Sequence, residues 1–407
     1  MKVTGIIAEY NPFHNGHKYH IEESRKKTNC DSIIAVMSGN YVQRGEPAII
    51  DKWSRTKMAL LNGVDLVIEL PSIFSCATAE TFAHSSVKLL NDTGIVDFIS
   101  FGSESGDISS IENASSLLAV ESEVFKKTIK TYLSQGMSFP VARQKTMEML
   151  TGENYDFISY SNNILAIEYI KALSSLKSGI QPIAITRKGE GYNSKNIDTS
   201  FSSASGIRDA IAYDNFHAIS KTMPENALEI LMDSINKGMS PITLDAFSEY
   251  LNYLLREKSS KELACISDVA EGLENRIKSS ANNYFKTTEI LNFIKTKRYT
   301  YTRLQRVLLH ILLNIKTETA DYYKQNGYSP YIRVLGFKKD KEKLLSSIVE
   351  NSSLPVLVNF KDSEGLNDNC KNLLNMENKA TDIYYLGSPA QSYRKLNKEY
   401  TTPVVII

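Results

Sequence analysis

The chain has 407 residues, 42% hydrophobic and 23% charged, a composition that excludes extensive disorder and a length that predicts two or three domains. Lysine and arginine number 47 against 46 acidic residues, so a contact with a polyanion must come from a local patch. The four cysteines are widely spaced, which favours buried reduced thiols over a disulfide or zinc framework and indicates the cytosol. No segment reaches the roughly 20 apolar residues of a membrane span, and the first apolar run is too short for a signal peptide, so we expect no membrane segment.

Four short runs rich in valine and isoleucine predict strands, and helical periodicity fills the intervals between them. The strand runs are residues 3–9, 32–37, 64–70 and 96–101, and the helical stretches are 17–28, 52–62 and 78–92. Because strands alternate with helices, we predict crossover units and a parallel sheet covered on both faces. The predicted fold class is therefore α/β, with a Rossmann-like parallel-sheet domain first in the chain.

The pattern changes twice after these units. A helix at 162–176, a strand at 181–187 and a serine-rich turn into a helix near 203–213 continue the first domain, whereas residues 215–315 are mostly helical by pattern. Strand candidates return at 332–336, 354–359 and 382–386, and the apolar tail could pair at a sheet edge or dock elsewhere. We therefore predict a first domain at 1–214, a mostly helical region at 215–325 and a small mixed α/β region at 326–407.

The most informative stretch is the junction of the first predicted strand with the following helix, which reads IAEYNPFHNGH over residues 7–17. At the carboxyl edge of a parallel sheet, helix N-termini face anionic ligands. His14 and His17 at such a helix start can lie side by side over a triphosphate and stabilise the charge that develops during attack at the α-phosphate. Gly16 lets the backbone approach the nucleotide, and Pro12 stiffens the loop.

Two other interpretations of this motif stay open. HNGH can be a polar turn in which His14 caps the helix, since four positions with three fixed residues form a weak pattern. A metal site is a weaker interpretation, because the HNGH motif contains no acidic residue and no third histidine. The position directly after a predicted strand favours the nucleotide site.

A second element, Ser203-Ala-Ser205-Gly-Ile-Arg208, opens a later predicted helix. This Ser-x-x-x-Ile-Arg element and the earlier HxGH motif together resemble the nucleotidyltransferase superfamily, whose domain is of the HUP type. More narrowly, the chain resembles the bacterial tRNA(Met) cytidine acetate ligase family in segments that extend over most of its length. These segments are AEYNPFHNGHKYH, SGNYVQRGEPAIIDKWSR, ELP at 69–71, FGSE at 101–104, NNILAIEYIKAL at 162–173 and KRYTYTRLQR at 297–306.

The resemblance implies an enzyme that joins acetate to AMP from ATP, with Mg²⁺, and passes the acetyl group to the wobble cytidine of elongator tRNA(Met), giving N4-acetylcytidine. ATP, acetate and this tRNA are the implied partners, and no protein partner and no metal-ligating residue is implied. The implied catalytic residues are His14 and His17. The implied ATP-binding residues are Ile7, Ala8, Glu9, Tyr10, Asn11, Pro12, Phe13, His14, Asn15, Gly16, His17, Lys18, Tyr19, His20, Gly102, Asn162, Asn163, Arg187, Ser205 and Arg208.

Several of these residue types also fit ordinary structural roles. Gly102 could be a strand-ending glycine, and the two asparagines at 162 and 163 could be helix caps. Candidates to neutralise the triphosphate are Arg187, Arg208 and the pair Lys52 and Arg55, which share a helix face, although a solvated surface pair is the default for such residues. No Ser/His/Asp or Cys/His arrangement is present, so we expect no covalent acyl-enzyme.

A basic and aromatic stretch is the candidate RNA contact. Tyr299 and Tyr301 could stack an unpaired base, or they could pack into the helical region from a solvated amphipathic helix. The candidate RNA-binding cations are Lys295, Lys297, Arg298, Arg303 and Arg306. Two other function classes stay open: a mononucleotide adenylyltransferase for cofactor synthesis, which would not require the nearly 200 residues after the first domain, and a non-catalytic RNA-binding protein on the same scaffold.

Overall fold

The structure is a computed structural model that describes residues 1–104, 106–119, 122–137, 139–152, 154–188, 201–270 and 272–407. Its strands are β1 (Val3–Ala8), β2 (Ser32–Ser38), β3 (Tyr41–Val42), β4 (Glu46–Pro47), β5 (Leu66–Leu70), β6 (Phe98–Ser103), β7 (Gln181–Thr186), β8 (Ile332–Phe337), β9 (Val356–Leu357) and β10 (Val405–Ile406). Its helices are α1 (Asn15–Thr28), α2 (Lys52–Leu61), α3 (Ser72–Ser75), α4 (Ala79–Asp92), α5 (Ile108–Ala119), α6 (Glu123–Ser134), α7 (Phe139–Thr151), α8 (Ser161–Ser175), α9 (Ala204–Ala212), α10 (Phe216–Ser220), α11 (Glu225–Asn236), α12 (Ser248–Glu257), α13 (Ser260–Ala264), α14 (Leu273–Ser280), α15 (Thr287–Ile294), α16 (Tyr301–Leu313), α17 (Thr317–Gln325), α18 (Glu342–Asn351), α19 (Asp368–Leu386) and α20 (Lys398–Thr401). Short 3-10 helices lie at Asp156–Ser159, Leu244–Phe247, Lys339–Lys341, Phe360–Ser363 and Gln391–Tyr393.

The central sheet has the strand order β10-β8-β5-β2-β1-β6-β7, with β9 paired to β8. All pairs among β5, β2, β1, β6 and β7 are parallel, which confirms the predicted α/β class with a mainly parallel sheet. Strand β8 runs antiparallel to β5, and β9 and β10 run parallel to β8. The first strand therefore lies inside the sheet, with its carboxyl end beside those of β2 and β6.

Both faces of the sheet are buried, as the apolar runs predict. Along β2, Ile34 and Val36 pack into one hydrophobic cluster, whereas Ile33, Ala35 and Met37 pack into another. Successive side chains of a strand point to opposite faces, so the two clusters lie on opposite sides of the sheet. A strand buried on both faces requires an apolar residue at nearly every position, which β2 supplies.

The C-terminal strand candidates had different outcomes. The strand predicted at 332–336 is confirmed as β8, and within 354–359 only β9 is extended. The strand predicted at 382–386 is wrong, because these residues form the last turn of α19. Buried positions of α19 recur every three or four residues through Leu373, Glu377, Ala380 and Tyr384, so helical burial prevails over the β propensity of the aromatic residues.

The division of the chain into 1–214, 215–325 and 326–407 stays a prediction. Strand β8 pairs with β5, so the sheet of the first predicted domain continues into the third. The apolar tail adds β10 to the same sheet. Helices α12 to α16 surround a separate hydrophobic cluster that includes Leu255, Ile277, Ile290 and Leu308, which agrees with the helical pattern of the middle region. No helix in the described ranges has both the length and the apolar character needed to cross a membrane.

Candidate functional site

The junction between β1 and α1 holds His14 and His17 against each other. His14 is the N-cap of α1, and its Nδ1 accepts a hydrogen bond from the amide of Gly16 at 3.0 Å. The Nδ1 of His17 in turn accepts from the amide of His14 at 3.2 Å. The two rings are stacked, with centroids 3.7 Å apart and planes 24° apart. The capping interpretation is therefore correct for His14, and capping uses only one nitrogen of each ring.

The surroundings of this junction favour neutral imidazoles. Burial, and after it the positive charges of Arg187 and Arg208, lower the pKa of His14 to about 3. Burial also lowers the pKa of His17 well below its ordinary value and that of His20 to about 4. A neutral imidazole carries one proton, so where Nδ1 accepts a backbone hydrogen bond the proton is on Nε2. His14 and His17 can therefore each donate one hydrogen bond from Nε2.

Gly16 is required by the histidine pair itself. A Cβ at this position would lie 2.8 Å from Cε1 and 3.0 Å from Nδ1 of His14. These distances are shorter than an ordinary van der Waals contact, so any side chain would displace the capping ring. The steric requirement at Gly16 therefore comes from His14, whereas the sequence predicts that it comes from the nucleotide.

A cavity of about 570 Å³ opens beside this histidine pair. Its walls come from the carboxyl ends of β1, β6 and β7 and from α1, α8 and α9, the edge at which α/β sheets bind ligands. The predicted ATP-binding residues that line it are Ile7, Ala8, Glu9, Tyr10, His14, Gly16, His17, Tyr19, His20, Gly102, Asn162, Arg187, Ser205 and Arg208.

The other predicted ATP-binding residues do not line this cavity. Phe13 is buried in a hydrophobic cluster, and the Oδ1 of Asn11 accepts from the amide of Ile49 at 2.7 Å. Asn163 is fully buried, and its Oδ1 accepts from Ser103 Oγ at 2.8 Å, which fixes the loop after β6. The remaining three are Pro12, which is buried, Asn15, which is bound to the backbone of Lys221 and Thr222, and Lys18, which is exposed.

Two of the four candidate phosphate-binding cations reach the cavity. Arg187 is exposed and lines it beside Gly102, where an added Cβ would lie 3.4 Å from the arginine Cγ. Arg208 also lines it, and its guanidinium donates to the backbone oxygen of Asn11 at 2.8 Å and pairs with Glu46 at 3.2 Å. Both arginines are therefore held where a nucleotide could meet them.

The interpretation of Lys52 and Arg55 as phosphate ligands is wrong. Both share one face of α2, as predicted, but that face is fully buried. Lys52 is paired with Glu69 and Glu399. The Arg55 guanidinium donates to backbone oxygens, among them those of Glu9 at 2.7 Å and Ile50 at 3.0 Å. Their charges are compensated inside the protein, and so they are structural residues.

Several residues that line the cavity are not predicted from the sequence. Gln43 and Arg44 lie in the turn of the hairpin formed by β3 and β4, whose two-residue strands are too short to give a pattern. The serine cap of α9, Ser203, was part of the recognised Ser-x-x-x-Ile-Arg element, so its signal was present. The other unassigned lining residues are Ala79, Phe82, Phe101, Ser161, Ile164, Leu165, Tyr169, Ile185, Thr186, Lys188, Phe201, Ser202, Ala204 and Thr302.

The candidate RNA-binding segment divides into exposed and buried parts. Lys295, Lys297 and Arg298 are exposed. Arg306 is buried, and its Nε pairs with Asp268 at 3.2 Å, so the structure does not present it as an RNA ligand. The remaining candidates were Arg303, which is half-buried and donates to the Asp268 backbone oxygen, Tyr299, which is 6% exposed and packs into the helical cluster, and Tyr301, which is exposed. Packing into the helical region is thus correct for Tyr299.

The acidic and sulfur-containing residues form no metal centre in the described ranges. No group of three or more histidine, cysteine, aspartate or glutamate side chains there could hold a metal ion. The weaker metal interpretation of the histidine motif therefore gains no support from the fold.

The chain is similar over its whole length to known nucleotidyltransferases. The model of the family described as HIGH Nucleotidyl Transferase matches residues 1–399. The tRNA(Met) cytidine acetate ligase of Acetivibrio thermocellus is 42% identical over 415 aligned residues, which cover 100% of both chains. The tRNA(Met) cytidine acetate ligase of Halothermothrix orenii is 41% identical over 420 aligned residues, with 100% of this chain and 99% of the relative covered.

Solved structures show the same likeness. Thermotoga maritima TmcAL in an apo crystal form matches with a TM-score of 0.95 and 32% sequence identity, and all of both chains is covered. TmcAL bound with alpha-thio ATP matches with a TM-score of 0.92 and 32% identity, covering 100% of this chain and 99% of the other. The cavity described above therefore occurs in a fold for which one solved relative binds an ATP analogue.

Proposed function

Because the chain belongs to the tRNA(Met) cytidine acetate ligases within the HIGH nucleotidyltransferase family, we propose that it activates acetate with ATP and transfers the acetyl group to the wobble cytidine of elongator tRNA(Met). The observation that carries this proposal is the stacked pair His14 and His17 on the cavity wall, in which both Nδ1 atoms accept backbone hydrogen bonds, so that Nε2 is the donor of each neutral ring. The product would be N4-acetylcytidine, and the reaction would take place in the cytoplasm, where its tRNA substrate is found.

In the first half-reaction, acetate attacks the α-phosphate of ATP, and pyrophosphate leaves. The Nε2–H groups of His14 and His17 donate to phosphate oxygens, on which negative charge increases in the transition state. Arg187 and Arg208 supply positive charge at the same cavity, and arginine can bind phosphate oxygens through two parallel hydrogen bonds. Neutral histidines suit this role, because they donate hydrogen bonds without needing a proton from solvent at neutral pH.

Magnesium would enter this site with the triphosphate. The described residues offer no cluster of ligands for a metal ion, so they do not fit a cation held by the protein alone. Mg²⁺ commonly keeps several waters and binds nucleotide phosphates, where it neutralises charge. The roles assigned here to His14, His17 and the two arginines do not depend on it.

The RNA would approach from the helical region. Lys295, Lys297 and Arg298 are exposed, and Tyr301 at the start of α16 offers a ring for an unpaired base. Thr302, the next residue of α16, lines the nucleotide cavity, so a base bound on this segment is close to the site of activation. This proximity supports an RNA acceptor over a free mononucleotide.

The test is incubation of the purified protein with ATP, labelled acetate and elongator tRNA(Met), followed by nucleoside analysis. We expect label in N4-acetylcytidine and release of one pyrophosphate per acetyl group transferred. Transfer of AMP to a mononucleotide acceptor with release of pyrophosphate, without label in RNA, would instead establish the cofactor-synthesising adenylyltransferase. Binding of tRNA without pyrophosphate release in either assay would establish a non-catalytic RNA-binding protein.

A further inference from the structure

Glu9 stands apart from the other residues of the cavity wall. It directly follows β1 and is the one carboxylic acid among the described residues that line the cavity. Its Oε1 accepts a hydrogen bond from the amide of Gln43 at 2.8 Å. The phosphates of a nucleotide would be repelled by this carboxylate, so a contact with phosphate does not explain the presence of Glu9 in the implied ATP-binding segment.

The contacts of Glu9 place it on the side of the cavity next to the helical region. Its partner Gln43 belongs to the β3–β4 hairpin, which packs directly on α16. At Gly45, with φ of +81°, an added Cβ would lie 2.3 Å from the backbone nitrogen of Arg306. The Gln305 amide donates to Glu46 at 2.7 Å. Glu9, the hairpin and the start of α16 therefore form one continuous wall.

The candidate phosphate-binding groups lie on other elements of the cavity wall than Glu9. Arg187 and Lys188 follow β7, and Ser203 and Ser205 open α9. The histidine pair at the start of α1 lies with Arg187 and Arg208, whose charges reach His14. Arg208 also pairs with Glu46 of the hairpin at 3.2 Å, so an adenylate bound by these groups would lie next to the wall that holds Glu9 and Thr302.

The chemistry of the acceptor requires a group of this type. The exocyclic amine of cytosine is a hydrogen-bond donor, and glutamate is a common acceptor for it. When this nitrogen attacks an acyl carbonyl it becomes positively charged, and it must lose a proton to give the neutral amide. A carboxylate within hydrogen-bond reach can accept that proton.

Building on the function proposed above, we propose that Glu9 is the catalytic residue of acetyl transfer: it binds the cytidine amine and accepts its proton. The C–N bond forms between the amine and the acetyl carbon, and the C–O bond to the phosphate breaks. AMP leaves with that electron pair, the amine proton passes to the Glu9 carboxylate, and release of this proton to water restores the enzyme.

The surroundings of Glu9 favour a stronger base than an ordinary glutamate. Burial raises its pKa above the ordinary glutamate value, and the charge of Arg44 and the Gln43 amide act in the opposite direction. A raised pKa makes a carboxylate a better proton acceptor near neutral pH. The titratable and charged groups that face Glu9 are Arg44 and Glu46 on the hairpin, Arg208 on α9, Arg55 on α2, Tyr169 on α8 and Cys76 after α3.

The two half-reactions allow a direct test with Glu9→Gln. Glutamine retains a side-chain oxygen that can accept from the Gln43 amide, so the hairpin contact is preserved. We expect acetate-dependent ATP–pyrophosphate exchange to stay within about threefold of wild type, while single-turnover acetyl transfer to tRNA falls by about 100-fold or more. Glu9→Asp should recover part of the transfer rate. As a control, Glu22→Gln at an exposed position should leave both rates unchanged.

The pH profile separates proton transfer from a merely structural role. Transfer by the wild-type protein should rise with pH through the titration of Glu9, and Glu9→Gln should remove that inflection. Equal loss of exchange and transfer in Glu9→Gln, or transfer at the wild-type rate, would overturn the role of Glu9. If the wild-type protein itself forms no N4-acetylcytidine, the proposed function fails, independently of Glu9.

Discussion

The β1–α1 junction and segment 295–306 differ in where they place their candidate functional side chains. At the junction, His14, Gly16 and His17 all face one cavity. In segment 295–306, Lys297 is exposed, whereas Arg306 is buried against Asp268. Both regions are rich in polar and aromatic residues. The junction brings them together at one cavity, whereas segment 295–306 divides them between the surface and the core.

The difference follows from the local geometry of the chain. A strand, a short loop and a helix start have only a few possible paths, so residues next to each other in sequence stay together at the sheet edge. An amphipathic helix distributes neighbouring residues around its axis, and one face must enter the core. In α16 that inner face includes Arg306, so a basic cluster in sequence is not a basic cluster in space.

The largest effect is expected at the junction, from His17→Asn. Asparagine can still accept from the His14 amide but lacks the Nε2 donor, so the transition state loses one hydrogen bond. We expect acetate-dependent ATP–pyrophosphate exchange to fall by about 100-fold, as for loss of one oxyanion donor. Thermal unfolding should be nearly unchanged. Normal exchange in this variant would contradict a catalytic role for the β1–α1 junction.

In segment 295–306, the buried cation should matter for folding. Arg306→Ala leaves Asp268 without its partner in a mostly buried position, and we expect the free energy of unfolding to fall by about 2 kcal/mol. The measurement is urea denaturation, with tRNA affinity determined on the folded fraction. Normal stability combined with weak RNA binding would place Arg306 on the RNA surface and contradict the division described here.

The exposed cations should matter for RNA. The triple replacement of Lys295, Lys297 and Arg298 by alanine should weaken tRNA binding by about tenfold near 0.1 M salt and make its salt dependence shallower, since fewer counterions are released. ATP–pyrophosphate exchange in the absence of tRNA should be unchanged. Filter binding at several salt concentrations gives both quantities. An unaltered salt dependence would show that RNA binds on another surface.

The last expected effect is a pH dependence of stability that belongs to the junction. The pKa of His14 is lowered to about 3 and that of His20 to about 4. Below pH 6.5 the unfolded chain therefore binds protons that the folded protein does not, and stability falls as pH decreases from 6.5 towards 4. Segment 295–306 contains no histidine, so its variants should keep the slope. Replacing His20 by Asn should reduce the slope in chemical denaturation between pH 4 and 7.

The features of the fold and site that depend on short stretches of sequence could be predicted. The α/β class, the parallel strands and the position of the histidine motif are confirmed, because each depends on a short apolar period or on one strand–helix junction. The family assignment is also confirmed, since the resemblance extends over the chain.

The errors concern which way a helix faces and which distant segments meet. Lys52 and Arg55 share a helix face, but the sequence does not show that Lys52 pairs with Glu69 and Glu399 or that Arg55 donates to backbone oxygens. Gln43 meets Glu9 across 34 residues, a contact with no local pattern. The strand predicted at 382–386 is helical because its tyrosines complete the buried face of α19. The segments that cover this face are distant in sequence, so the local pattern does not reveal them.

The central claim is that His14 and His17 present their Nε2 protons to the phosphates of bound ATP. Long-range ¹H–¹⁵N NMR of the imidazole groups, recorded during titration with ATP, measures this directly. The account predicts neutral rings with protonated Nε2, and shifts of both Nε2 signals on addition of ATP while both Nδ1 atoms stay unprotonated. Imidazolium rings before ATP is added, or Nε2 signals that do not move at saturating ATP, would contradict it.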